Sequence, residues 1–196
     1  QRGYEMILHH NNSDASEVLK RIKTKVTLVK ADLNKACSFD FEGVDLLVNS
    51  VSSFNKIGFA ATTEAEFDLN FNLHVKAPFF LSQKFASQAP EGAQIINILD
   101  TKITKNQSQH FSYLLSKKNL WSLTQMLAAT LAPKIRVNAI SPSSIEEFNT
   151  VDVEYIAKSA LKLPKTAHVL AAMGYLLDNE HVTGQNMFVD GGDSLI

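Results

Sequence analysis

The chain has 196 residues, of which 45% are apolar and 20% charged, with a net charge of −1. That size and balance fit one globular domain, and the near-neutral charge excludes an electrostatic case for nucleic acid or an anionic membrane surface. The single cysteine, Cys37, excludes an internal disulfide and fits a reducing, cytoplasmic setting, and no apolar run approaches the roughly 18 residues that span a bilayer.

The opening QRGYEMILHH is interrupted by Glu5 and is no signal peptide. Residues 4–10 predict a strand that starts almost at once, so the natural protein is expected to begin earlier than Gln1. His9 and His10 are adjacent on that strand and point to opposite faces, so they cannot jointly bind a metal, and no metal is expected. Ser13 or Asp14 is the expected cap of a short helix carrying Val18, Leu19 and Ile22. Residues 25–31 predict a second strand, closed by Asp32, and 33–43 carry a weak pattern. Residues 44–51 (VDLLVNSV) predict a third strand, nearly all apolar, as where both faces of a parallel sheet are covered. A loop at 52–63 leads to a helix over 64–89 with a broad apolar stripe, inside which Pro78 is expected to force a kink.

Residues 94–99 predict a fourth strand, 112–131 a helix stopped by Pro133, and 135–140 a fifth strand. A loop at 141–147, helical segments near 150–163 and 165–177, and a short strand at 187–189 complete the chain. Strands alternate with helices throughout, which predicts an α/β fold: a doubly wound parallel sheet in a single domain, 1–196. Ligands of such sheets bind at the carboxyl ends of the strands. Asp32, residues 49–54, Asp100 and residues 141–144 all fall at such ends.

Tyr113 and Lys117 stand four apart at the start of the long helix and so share a face. A lysine beside a tyrosine favours the phenolate and lowers the tyrosine pKa, which makes the phenol a proton donor near neutral pH. Asp100 ends the fourth strand.

These pieces, in this order, resemble the short-chain dehydrogenase/reductase family over nearly the whole chain: Asp32 in KADL, LLVNSVSS, Asn72 in NFNLHVKAPFFLSQ, IINILD, Tyr113-xxx-Lys117, RVNAISP and VTGQNMFVDGG. Within the family, the chain is most similar to the pteridine and dihydromonapterin reductases. They carry aspartate thirteen residues before the tyrosine, where other members carry serine, and a VNNASSF loop similar to VNSVSSF here.

The resemblance implies a Rossmann-like fold and hydride transfer from NADPH to a pterin C=N bond. Tyr113 and Asp100 would be the proton source, Lys117 would hold the nicotinamide ribose, and Asn72 would hold a relay water. Ser52 and Phe54 would contact the pterin, with Phe54 as a stacking face. It further assigns Ser13, Asp32, Leu33, Asn49, Ser52, Tyr113, Lys117, Pro142 and Ser144 to the cofactor, and implies a homotetramer paired through the long helix. NADPH is favoured over NADH because HHNNS offers polar groups to a 2′-phosphate and no acidic residue ends the first strand to claim a 2′-hydroxyl. The family's glycine-rich phosphate loop is absent and is expected, with a first strand, before Gln1. Ser143 replaces the usual glycine after Pro142, and Ser50 and Val51 the usual asparagine and alanine. Two alternatives stand beside this reading: a carbonyl reductase of the 3-oxoacyl type, and a reductase-like binding protein without catalysis.

Overall fold

The computed structural model describes residues 3–35, 39–106, 109–148 and 160–196. Cys37 lies outside them. The chain divides into two compact units, residues 1–38 and 39–196.

In the first unit β1 (Met6–His10) and β2 (Val26–Lys30) pair in parallel, with Met6 opposite Val26 and His10 opposite Lys30. Between them α1 (Ser16–Leu19) is a single turn, shorter than the pattern through Ile22 suggested. Asp14, rather than Ser13, takes the Ser16 amide, at 2.9 Å. The two histidines serve local backbone: His9 Nε2 lies 2.8 Å from the Ala31 carbonyl, and His10 Nδ1 lies 3.2 Å from that of Ser13.

The second unit holds β3 (Leu46–Asn49), β4 (Ala93–Ile98), β5 (Ile135–Pro142) and β6 (Asn186–Val189), all parallel and in that spatial order. Successive residues of β4 feed opposite faces, as the period of two requires. Ile95 packs in a cluster with Phe85, Ala128 and Val137, while Ile96 packs with Ile140, Ala172 and Leu176. Phe85 belongs to α3 (Ala77–Gln88), Ala128 to α4 (Phe111–Leu131), and Ala172 and Leu176 to α5 (Thr166–Asp178). Helices therefore cover both faces, the doubly wound arrangement. Ile95, Val137, Ile140 and Leu176 are fully buried, each worth about 1.5–3 kcal/mol of transfer free energy. Arg136 donates to the carbonyls of Leu176, Leu177 and Val182, which anchors the last turn of α5 to the sheet.

β3 is shorter than the 44–51 run, and Val48 keeps 36% of its surface exposed, so this strand is not covered on both faces. The stretch 64–89 is not one α-helix. It runs as α2 (Glu64–Phe71), capped by Thr63, then a wide π-type turn at Asn72–Lys76, then α3. A proline at 78 has no N–H and its ring crowds the carbonyl four residues back, and the extra residue in the turn relieves both. Of the helix expected near 150–163, residues 150–159 lie outside the described residues, and 160–163 are irregular. No helix among the described residues is long and apolar enough to cross a membrane.

Candidate active site

The loops leaving β3, β4 and β5 converge on the N-terminal half of α4. Tyr113 and Lys117 sit on its inner face, 5% and 2% exposed. The Tyr113 hydroxyl donates to Asp100 Oδ2 at 2.7 Å, and Asp100 Oδ1 accepts the Lys102 amide at 2.7 Å. The carboxylate is thereby fixed by its own loop, with one oxygen aimed at the phenol. Lys117 Nζ donates to the Ile98 carbonyl at 2.8 Å and lies 5.8 Å from the centre of the Tyr113 ring.

This geometry corrects the expectation that Lys117 lowers the Tyr113 pKa. Burial, and after it the Asp100 charge and hydrogen bond, push the phenol well above its ordinary value. Tyr113 therefore holds its proton through neutral pH. Burial pulls Lys117 down to about 8, with Asp100 opposing.

Phe54 reaches the same place from the loop after β3. Its ring meets Tyr113 edge-on at 4.8 Å, stacks on His110 at 4.1 Å with 12° between planes, and has Lys102 Nζ at 4.9 Å. It remains 52% exposed, so it can still offer apolar surface to a flat ligand. His110 Nδ1 lies 2.8 Å from the Asn55 carbonyl, which ties the Phe54 loop to the start of α4. Ser52, Phe54, Asp100, Tyr113, Lys117, Pro142 and Ser144 line a common cavity of about 190 Å³. A larger hollow of about 700 Å³, bounded by residues such as Leu161, His168 and Phe188, holds none of the expected catalytic residues. Chemistry, not volume, makes the smaller cavity the candidate site.

The wide turn before Pro78 contributes a residue that sequence reasoning missed. His74 is fully buried. Its Nε2 lies 3.0 Å from Ser52 Oγ and 3.4 Å from the Ser53 amide, and its Nδ1 lies 2.8 Å from Ser116 Oγ. Its ring stands edge-on to Tyr113 at 5.4 Å. Burial, and secondarily Lys117, hold its pKa near 3. Asn72, the expected relay residue, lies two positions earlier in the same turn. The one signal for His74 was a histidine among apolar neighbours, four before a proline.

Asn49 Nδ2 donates to Asn97 at 2.8 Å, and Asn97 donates to Thr124 at 2.9 Å, so Asn49 helps dock α4 on the sheet. Asn138 is structural, bonded to Val182 and Gln185. Ser143 stands in ordinary backbone, since no described non-glycine residue has a positive φ, and its Cβ costs no strain. Asp190, to which no role was assigned, is 6% exposed and accepts from Thr101 Oγ1 at 2.7 Å and from the Gly192 and Ser194 amides. Burial raises its pKa, but these bonds outweigh that and lower it. It pins the residue after Asp100 to the C-terminal loop. Ser13, Asp32 and Leu33 belong to the other unit. There Asp32 accepts the Asn34 amide at 3.0 Å and Leu33 is buried. Among the described residues no group of His, Cys, Asp and Glu could hold a metal.

A family model described as enoyl-(acyl carrier protein) reductase matches residues 1–194. Dihydromonapterin reductase of Enterobacter sp. (strain 638) is 33% identical over 132 residues, covering 63% of this chain and 55% of that protein. The dihydromonapterin reductase of Escherichia coli O6:K15:H31 (strain 536 / UPEC) is 31% identical over the same shares. The chain thus spans about half the length of the curated relatives it matches. Among solved structures, FolM alternative dihydrofolate reductase 1 from Brucella suis in complex with NADP gives a TM-score of 0.87 at 30% identity, covering 99% of this chain and 86% of that one. A short-chain dehydrogenase/reductase from Brucella melitensis gives 0.85 at 22% identity over 97% and 86%, a likeness of fold alone.

Proposed function

The chain belongs to the short-chain dehydrogenase/reductase family, and from that premise we propose that it serves an NADPH-dependent reduction of a pterin C=N bond. The observation that carries the reading is the 2.7 Å Tyr113–Asp100 hydrogen bond, in a cavity that also holds Phe54. A serine at position 100 would offer a carbonyl a hydroxyl donor. A carboxylate instead accepts, which suits the amino and ring N–H groups of an aminopyrimidine. The names of the dihydromonapterin reductase and alternative dihydrofolate reductase relatives support the same class.

The residues present fit the nicotinamide end of the cofactor. A buried ammonium, a serine hydroxyl and the Pro142–Ser144 backbone border one cavity, as a ribose and its flanking ring require. Ser13, Asp32 and Leu33 are proposed for the adenine end, with Asn49 acting through the sheet. When bound, the nicotinamide supplies the hydride to the substrate carbon. Tyr113, protonated because it is buried beside Asp100, gives its proton to the adjacent nitrogen. Asp100 orients the phenol and accepts from the substrate, and Lys117 places a positive charge near the phenolate that forms. Phe54 stacks the ring.

A homotetramer is part of the proposal, supported by the exposed Leu115 and Met126 on α4 and Phe79 and Phe80 on α3. Light scattering on the eluting full-length protein tests it, and a monomer would refute it. For the activity, NADPH oxidation by full-length protein with dihydromonapterin, dihydrobiopterin and dihydrofolate is the test. No turnover of any of the three refutes the pterin reading. Turnover of an acetoacetyl thioester instead would assign a carbonyl reductase, and NADPH binding without turnover a binding protein.

A further inference from the structure

The hydrogen-bond directions around His74 can be assigned from groups that leave no choice. Ser116 Oγ lies 2.7 Å from the Tyr113 carbonyl, which can only accept, so the Ser116 proton is committed there. Ser116 must then accept from His74, which puts the proton on Nδ1. At the other nitrogen, the Ser53 amide can only donate, so Nε2 is an acceptor. Both constraints select one tautomer, and a buried neutral ring carries one proton. Ser52 Oγ, 3.0 Å from that acceptor nitrogen, must then donate to it.

We propose that His74 is a positioning residue that claims the Ser52 hydroxyl proton, so that Ser52 presents only oxygen lone pairs to the cavity and selects a substrate bringing an N–H. The inference rests on the pterin reading for its choice of substrate, and it deepens that reading. Ser52 lines the cavity, where it also meets the Tyr113 hydroxyl, and Asp100, in the same lining, is also an acceptor. Two acceptors in a space of about 190 Å³ match the donor-rich edge of an aminopyrimidine. Neither offers a donor to a carbonyl oxygen. A histidine is suited to this task because its ring separates donor and acceptor rigidly, one toward α4 and one toward the loop after β3.

The test has two arms on full-length protein. First, nitrogen-15 spectra of the histidines, with His74 assigned by its loss in His74→Phe, should show Nδ1 protonated and Nε2 as acceptor, and Ser52→Ala should move the Nε2 resonance. An Nε2-protonated ring would overturn the proposal. This arm needs no substrate, so it decides the His74–Ser52 orientation even if no pterin is turned over. Second, His74→Phe should raise KM for dihydromonapterin about tenfold with a smaller change in kcat. His74→Gln, whose amide oxygen can stand where Nε2 stood, should recover most of the loss, and His74→Asn, which keeps only the Ser116 contact, should not. The double variant Ser52→Ala/His74→Phe should lose no more than Ser52→Ala alone. Equal behaviour of the Gln and Asn variants, or additive losses, would reduce His74 to a packing residue and overturn the proposal.

Discussion

Replacing Asp100 with serine probes the residue on which the substrate assignment turns. The change removes a carboxylate that accepts the Tyr113 hydroxyl at 2.7 Å and the Lys102 amide at 2.7 Å. A hydrogen bond to a charged partner contributes about 1.5–3 kcal/mol, equivalent to about 10- to 150-fold in a rate ratio. Asp100 is only partly buried, so water can replace part of what is lost, and the lower half of that range is expected for kcat/KM with dihydromonapterin. A second effect accompanies it. Asp100 is one of the causes that raise the Tyr113 pKa, so its removal brings the phenol down, though burial, the larger cause, remains. The alkaline limit of Tyr113 action should therefore move to lower pH in Asp100→Ser. The assay is NADPH oxidation by full-length protein across pH, with dihydromonapterin and an acetoacetyl thioester in parallel. A variant with pterin kcat/KM within about twofold of the parent, well below the smallest loss a charged hydrogen bond would cause, would refute the assignment of Asp100 to substrate recognition.

Tyr113→Phe should lower kcat by about 10²- to 10⁴-fold, the usual worth of a positioned proton donor, while nucleotide binding, followed by fluorescence titration, is retained. Lys117 titrates near 8, so its cation is present below that pH and lost above it. The pH profile of kcat/KM should fall as pH rises through about 8, and Lys117→Arg, which stays charged beyond pH ~12, should flatten that limb. The sign for stability is opposite: the folded state disfavours the charged lysine, so urea midpoints should rise between the folded value near 8 and the ordinary lysine value of 10.5. Phe54→Ala should raise KM for pterins about 2- to 12-fold, from the ~0.5–1.5 kcal/mol of a ring–ring contact, and leave thermal stability nearly unchanged because Phe54 is half exposed.

The α/β alternation, the strand order along the chain and the α4 register were legible because they are local: apolar runs of period two, an i, i+4 pair, a proline that stops a helix. Tyr113 and Lys117 could be named from spacing, Asp100 and Phe54 from the family resemblance, and the fold brings all four to one cavity. What the sequence could not supply is the direction of each electrostatic effect. Spacing places Lys117 beside Tyr113, but only the packed structure shows the ammonium committed to the Ile98 carbonyl and burial outweighing it. His74 meets Ser52 from the wide turn before Pro78, a departure from the 3.6 period that no periodic reading contains. The roles of Asn49 and Asp190 follow from partners 48 and 89 residues away. The chain by itself determined which groups are present and which face of each element they occupy. Tertiary structure decided which of them meet, because burial and long-range partners set both their protonation and the direction of their hydrogen bonds.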